Sequence, residues 1–107
     1  MKAIINGLRY DTDKAIKIGE GGSDGYASST DFHYWSAGLY RTPRSGRYFL
    51  AGHGGPMTRW AKAVGNNGST GSSGIVPMSL EEAREWAERY LAVEEVETGF
   101  ADAIEDA

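Results

Sequence analysis

Two histidines, a serine inside a glycine run and a dense set of C-terminal carboxylates are the residues here whose types and spacing could do chemistry. The serine is Ser23, in Gly21-Gly22-Ser23-Asp24-Gly25, a formal match to the G-x-S-x-G turn that exposes a hydrolase nucleophile. That turn works when it joins a buried strand to a helix, whereas this one lies in a stretch of Gly, Ser and Asp. His53-Gly54-Gly55 has the composition of an oxyanion loop but follows the serine instead of preceding it. A hydrolase sheet also needs far more chain than this. No enzyme activity is expected, and Ser23→Ala should be silent. His33 and His53, with Asp24 or Asp31, could ligate a metal. No Cys is present and neither His has a partner at H-x-x-x-H spacing, so local hydrogen bonding is the expected role and no metal or cofactor is predicted. The Gly65 to Gly74 stretch lacks the Lys that would make it a phosphate-binding loop.

The carboxylates are the stronger signal. From Leu80 to Ala107 there are ten Asp/Glu against two Lys/Arg, a net of −8. The first 79 residues hold five acids and nine bases, a net of +4, so an overall charge of −4 hides a polarised molecule. Such polarity attracts basic partners and repels nucleic acid. Glu81, Glu85 and Glu88 fall at i, i+4 and i+7, one stripe of a helix, and Glu95 extends it by two further turns. Side chains on such a stripe repeat at about 5–6 Å, on the order of the phosphate spacing along a nucleic-acid strand. Pairs such as Glu85–Arg89 relieve part of the repulsion. Beyond Arg89, Glu94, Glu95, Glu97, Asp102, Glu105 and Asp106 have no basic neighbour in sequence. Two readings stay open: a solvated helix face with an acidic tail that aids solubility, or a surface for a basic partner. Arg41, Arg44, Arg47, Arg59 and Lys62, interleaved with Tyr40, Tyr48 and Trp60, form an opposing basic group. In a chain of pI near 5.1 they balance the acidic end better than they argue for nucleic-acid binding.

The elements that must position these residues are legible in part. At 107 residues the chain is one domain with a modest core. The absence of Cys fits a reducing cytosol, and Met1-Lys2-Ala3-Ile4-Ile5 is too short an apolar run for a signal peptide or membrane span. The initiator Met suggests a complete small reading frame. Ala3 to Tyr10 reads as a hairpin around Asn6-Gly7, and Asp11-Thr12-Asp13 as the start of a short turn or of one helical turn. Ala15 to Ile18 is predicted as a short strand and Gly19 to Thr30 as a loop. Phe32 to Arg41 and Arg47 to Ala51 form a second hairpin about Thr42-Pro43-Arg44-Ser45-Gly46, with Trp35, Ala37, Leu39 and Arg41 sharing one face.

Met57, Trp60, Ala61 and Val64 give residues 57–64 a short helical pattern, and residues 65–74 read as a mobile Gly/Ser/Asn loop. Ser79-Leu80-Glu81-Glu82 is a capping box. Ala83, Trp86, Ala87, Tyr90 and Leu91 follow at helical spacing and predict about four turns packed through Trp86. Residues 98–107 form an acidic C-terminal segment, either a last helical turn or a frayed end. The expected fold is α+β: a small antiparallel sheet of about four or five strands packed against a C-terminal amphipathic helix, with one short additional helix.

Several segments together resemble a family of small phage and mobile-element proteins. They are Ile4-Ile5-Asn6-Gly7 with Tyr10-Asp11-Thr12, Asp31-Phe32-His33 and Leu39-Tyr40-Arg41-Thr42. Tyr48 to Gly55 and Pro77 to Ala83 with Trp86 complete the set. The likeness covers roughly residues 4 to 90, and its motifs are turn and core signatures. The family includes anti-CRISPR inhibitors of type I surveillance complexes, I-C among the subtypes. The resemblance implies a cytoplasmic, monomeric, non-enzymatic inhibitor that presents carboxylates where target DNA phosphates would lie. The residues expected to carry it are Glu81, Glu85, Glu88, Glu94, Glu95 and Glu97, with Asp11 and Asp13 as additions. The alternative is a protein-interaction module that binds through its aromatic hairpin, with the acid serving solubility.

Overall fold

The computed structural model describes residues 1–23, 34–55, 58–64 and 68–107. Lys2–Ile5 (β1) and Leu8–Asp11 (β2) pair as the expected hairpin, with Ile5 opposite Leu8. Asn6 and Gly7 make the turn at φ 53° and 78°, the positive values a type I′ turn demands. This ribbon is a sheet of its own. The main sheet is antiparallel and runs β3 (Ile16–Gly22), β4 (Trp35–Arg41), β5 (Tyr48–Gly54), β8 (Ser72–Met78). A separate small hairpin, β6 (Lys62–Val64) with β7 (Gly68–Thr70), lies between β5 and β8 in sequence. Two helices follow, α1 (Leu80–Tyr90) and α2 (Val93–Gly99), then a 3₁₀ turn at Ala101–Ala103. The class is α+β, as expected.

Strand alternation creates two cores, one on each side of the sheet. Ala37 and Leu39 of β4, with Tyr48 and Leu50 of β5, meet Ala83, Trp86 and Ala87 of α1 and Phe100 beyond α2. On the opposite face Phe49 and Ala51 meet Tyr10 of the ribbon, where the Tyr10 and Phe49 rings lie 5.3 Å apart at 68°. Helices and ribbon thus cover opposite faces of the sheet. Leu39, Phe49 and Leu50 are fully buried at its centre.

Four elements differ from the sequence reading. First, β3 continues through Gly22 where a loop was expected from Gly19. The glycines are there because the helices press on this strand: a Cβ on Gly21 would sit 2.8 Å from Tyr90 Cβ and 2.9 Å from Trp86, and one on Gly19 within about 3 Å of Leu91. Second, no helix forms at residues 58–64. Thr58 donates its hydroxyl to the Gly55 carbonyl at 2.8 Å and accepts from the Trp60 N–H at 3.2 Å, a local turn that outcompetes helix in this short segment. Third, Gly68–Thr70 and Ser72–Gly74 are strand, not loop, because backbone pairing needs no large side chain; Ser72, Ser73 and Gly74 oppose Gly54, His53 and Gly52. Fourth, the C-terminal helix is eleven residues rather than four full turns, and a second helix follows it. The expectations for Asp24, Gly25, Asp31, Phe32, His33, Pro56, Met57 and residues 65–67 lie outside the described residues.

Candidate acidic interface

The capping box starts α1 as the sequence requires. Ser79 Oγ accepts from the Glu82 N–H at 3.1 Å, and Glu82 Oε1 accepts from the Ser79 N–H at 2.9 Å. That backbone bond, with the Ser79 hydroxyl and the more distant Arg59, holds the Glu82 carboxyl below its ordinary range. Ala83, Trp86 and Ala87 then face the sheet, which turns Glu81, Glu85 and Glu88 to solvent. The stripe at i, i+4 and i+7 is therefore present and exposed.

Its continuation is not straight. Leu91 takes an extended conformation at φ −104°, ψ 161°, and ends α1. Ala92 opens α2, where Glu95 Oε1 accepts the Ala92 N–H at 2.9 Å. This is the back-reaching half of a capping box without the hydroxyl half. Glu95 is half-buried and occupied, so it caps the second helix instead of extending the first stripe. Glu94 and Glu97 of α2 are exposed, as are Asp102, Glu105 and Asp106.

Asp11 and Asp13 do not join this surface. Asp11 is only 8% exposed; its Oδ1 accepts the Asp13 N–H at 3.0 Å and its Oδ2 lies 4.0 Å from Lys2 Nζ. Its carboxylate closes the turn after β2, on the ribbon side of the sheet, and Asp13 beside it is exposed on that same side. The local ion pair on α1 is Arg84–Glu88 at 3.6 Å, in place of the expected Glu85–Arg89. Arg89 instead lies over the Tyr90 ring at 5.3 Å. Among the described residues the exposed carboxylates of α2 and the segment after it have no ion-pair partner.

The other candidates are differently engaged. Ser23 Oγ accepts from the Trp35 N–H at 3.2 Å and reaches the Trp35 carbonyl at 3.4 Å, pinning the start of β4. His53 is exposed on β5 with its ring 5.9 Å from that of Tyr34. Among the described residues no three His, Cys, Asp or Glu side chains cluster as a metal site. Most rings of the aromatic hairpin lie in the two cores, while Tyr34 and Trp35 at its open end are half-buried. Tyr48 stacks on Phe100 at 5.0 Å, Tyr40 on Phe49 at 5.3 Å, and Trp60 is 5% exposed. Arg44 and Arg47 are exposed at the hairpin tip, while the Nε of Arg41 is buried with no hydrogen-bond partner among the described residues.

A groove of about 670 Å³ runs between α1 and the turn after β5, with Trp35, Trp86 and Tyr90 along it and Glu85 on its rim. The helical spacing put Trp86 and Tyr90 on the packing face of α1, but the groove was not legible in the sequence, because Thr58 and Arg59 line it from a turn distant in the chain. The chain matches no protein-family model, no curated protein and no solved structure. No helix among the described residues is long and apolar enough to cross a membrane.

Proposed function

We propose that this protein is a non-enzymatic, stoichiometric inhibitor that binds a basic nucleic-acid-binding surface through the solvent face of α1 and α2. The observation that carries the reading is one-sidedness. Glu81, Glu85, Glu88, Glu94 and Glu97 are all exposed on the helical layer, and among the described residues one ion pair, Arg84–Glu88, offsets them. A helix kept only for solubility gains from mixed charge at i, i+4 spacing, whereas like charges there cost a few tenths of a kcal/mol per pair. The target class rests on the resemblance of the turn and core motifs to anti-CRISPR inhibitors. The expected partner is accordingly a type I surveillance complex in the bacterial cytoplasm, whose Arg and Lys would otherwise hold target DNA. Glu95, Asp11 and Asp13 drop out of the contact set, for the structural reasons given above. The aromatic-hairpin alternative is less favoured, because Tyr48 and Trp60 are buried and Tyr40 is stacked on Phe49.

Charge reversal tests the assignment of the face. The double substitution Glu85→Lys, Glu88→Lys should abolish capture of the surveillance complex. Asp13→Lys, on the ribbon side, should leave capture intact. Equal loss from both would remove the helical face from its role.

A further inference from the structure

The groove beside α1 adds a specific feature to the acidic face. Trp35 of β4 and Trp86 and Tyr90 of α1 form a three-ring cluster: Trp35 and Tyr90 meet edge-on at 4.9 Å, and Trp86 and Tyr90 lie tilted at 5.1 Å. Trp35 and Tyr90 are half-buried, so part of each ring borders the groove. Four charged groups line it. Glu82 is occupied by the Ser79 N–H. Arg89 lies over Tyr90 at 5.3 Å and Arg59 over Trp60 at 5.9 Å. Of the two carboxylates, Glu85 alone has neither a capping bond nor an ion pair among the described residues, and it is exposed.

A carboxylate free to pair, set next to aromatic rings, is the chemistry that recognises a guanidinium. The planar fork fits a carboxylate bidentately and stacks on a ring, which a lysine ammonium does less well. The chain already parks its own Arg89 guanidinium on Tyr90 at this groove, an internal example of the contact. We infer that the groove receives an arginine side chain of the partner, with Glu85 as its counter-ion and the rings around Trp35 as its stacking surface. This rests on the proposed acidic-face binding and names the residue of the basic partner that anchors it. An anchor of this kind, an Arg in an aromatic pocket within a polar surround, is the usual form of an interface hot spot.

The probe is N-acetyl-arginine-N-methylamide, titrated into the intact protein while the three indole N–H signals are followed by NMR. Saturable shifts are expected at Trp35 and Trp86, with a dissociation constant of about millimolar order for a single side chain. The lysine analogue should bind several-fold more weakly, and the glutamate analogue should not bind. Glu85→Gln should weaken the arginine probe several-fold, whereas Glu88→Gln, off the groove, should not change it. Arg89→Gln should strengthen binding by removing a like charge and freeing Tyr90. The inference is overturned if the indoles do not respond, if all three analogues act alike, or if Glu85→Gln has no effect. A silent groove in a protein that still captures the surveillance complex would sink the arginine anchor and leave the acidic face standing. Loss of capture as well would remove both.

Discussion

The residue that ties site to core is Trp86. It is 7% exposed and sits in the cluster with Leu39 and Leu50, within one helical turn of the exposed Glu85 and Glu88. Trp86→Ala should leave a cavity and cost about 3–5 kcal/mol, a large share of what a small domain has. Urea unfolding would measure it, and a cost under about 1 kcal/mol would mean the ring is not packed as described. Gly21 poses the opposite problem, with space for no side chain. Gly21→Ala should overpack the strand against Trp86 and Tyr90 and cost about 1–3 kcal/mol, read in the same assay.

At Glu82 the effect is pH-dependent. Its folded pKa lies below the unfolded value, so its contribution is fully present above the ordinary carboxylate range and is lost as pH falls through the lowered value. Glu82→Gln should remove that part of the acid dependence. Wild type should lose more stability than the variant between about pH 6 and pH 3, and parallel losses would show that the cap does not titrate.

At the scale of elements, the parts written in short-range chemistry were legible in the sequence and the parts decided by distant contacts were not. Asn6-Gly7 and Ser79-x-x-Glu82 each name one backbone geometry, and both formed as read. The alternation placed Trp35, Ala37 and Leu39 on one face of β4, and that is the face that meets the helices. By contrast, Gly19 and Gly21 carry no signal that separates a loop from a strand lying under a helix. The difference lies in Trp86, Tyr90 and Leu91, far along the chain. Residues 58–64 have helical spacing, yet a Thr58 turn and pairing with Gly68–Thr70 win there.

The acidic stripe was legible on α1. Its extension to Glu95 was not, because the break at Leu91 has no Gly or Pro to announce it. Phe100 decides the fate of the end of the chain. It is 2% exposed and stacks on Tyr48, so Phe100→Ala should free α2 from β3 and the sheet. Amide exchange across Val93–Gly99 should then accelerate by at least tenfold, while exchange in β4 and β5 changes far less. Uniform acceleration would mean that α2 is an integral part of the global unfolding unit.

For the whole molecule, the arrangement separates two tasks. The first 79 residues carry nine of the eleven bases and enclose one core between sheet and ribbon, and the helices cover the other core and carry, with the segment after them, ten of the fifteen acids. Because the exposed carboxylates lie in water, their pull on a partner must act through long-range attraction that mobile ions screen, with a Debye length of about 8–10 Å near physiological salt. On the proposed function this face competes with DNA for the same cations. The most direct measurement is displacement of a target duplex from a type I surveillance complex by the purified protein, followed across a salt series. The expected result is displacement whose apparent affinity falls by about tenfold or more between roughly 50 and 200 mM salt. Displacement indifferent to salt, or no binding across a panel of such complexes, would contradict it.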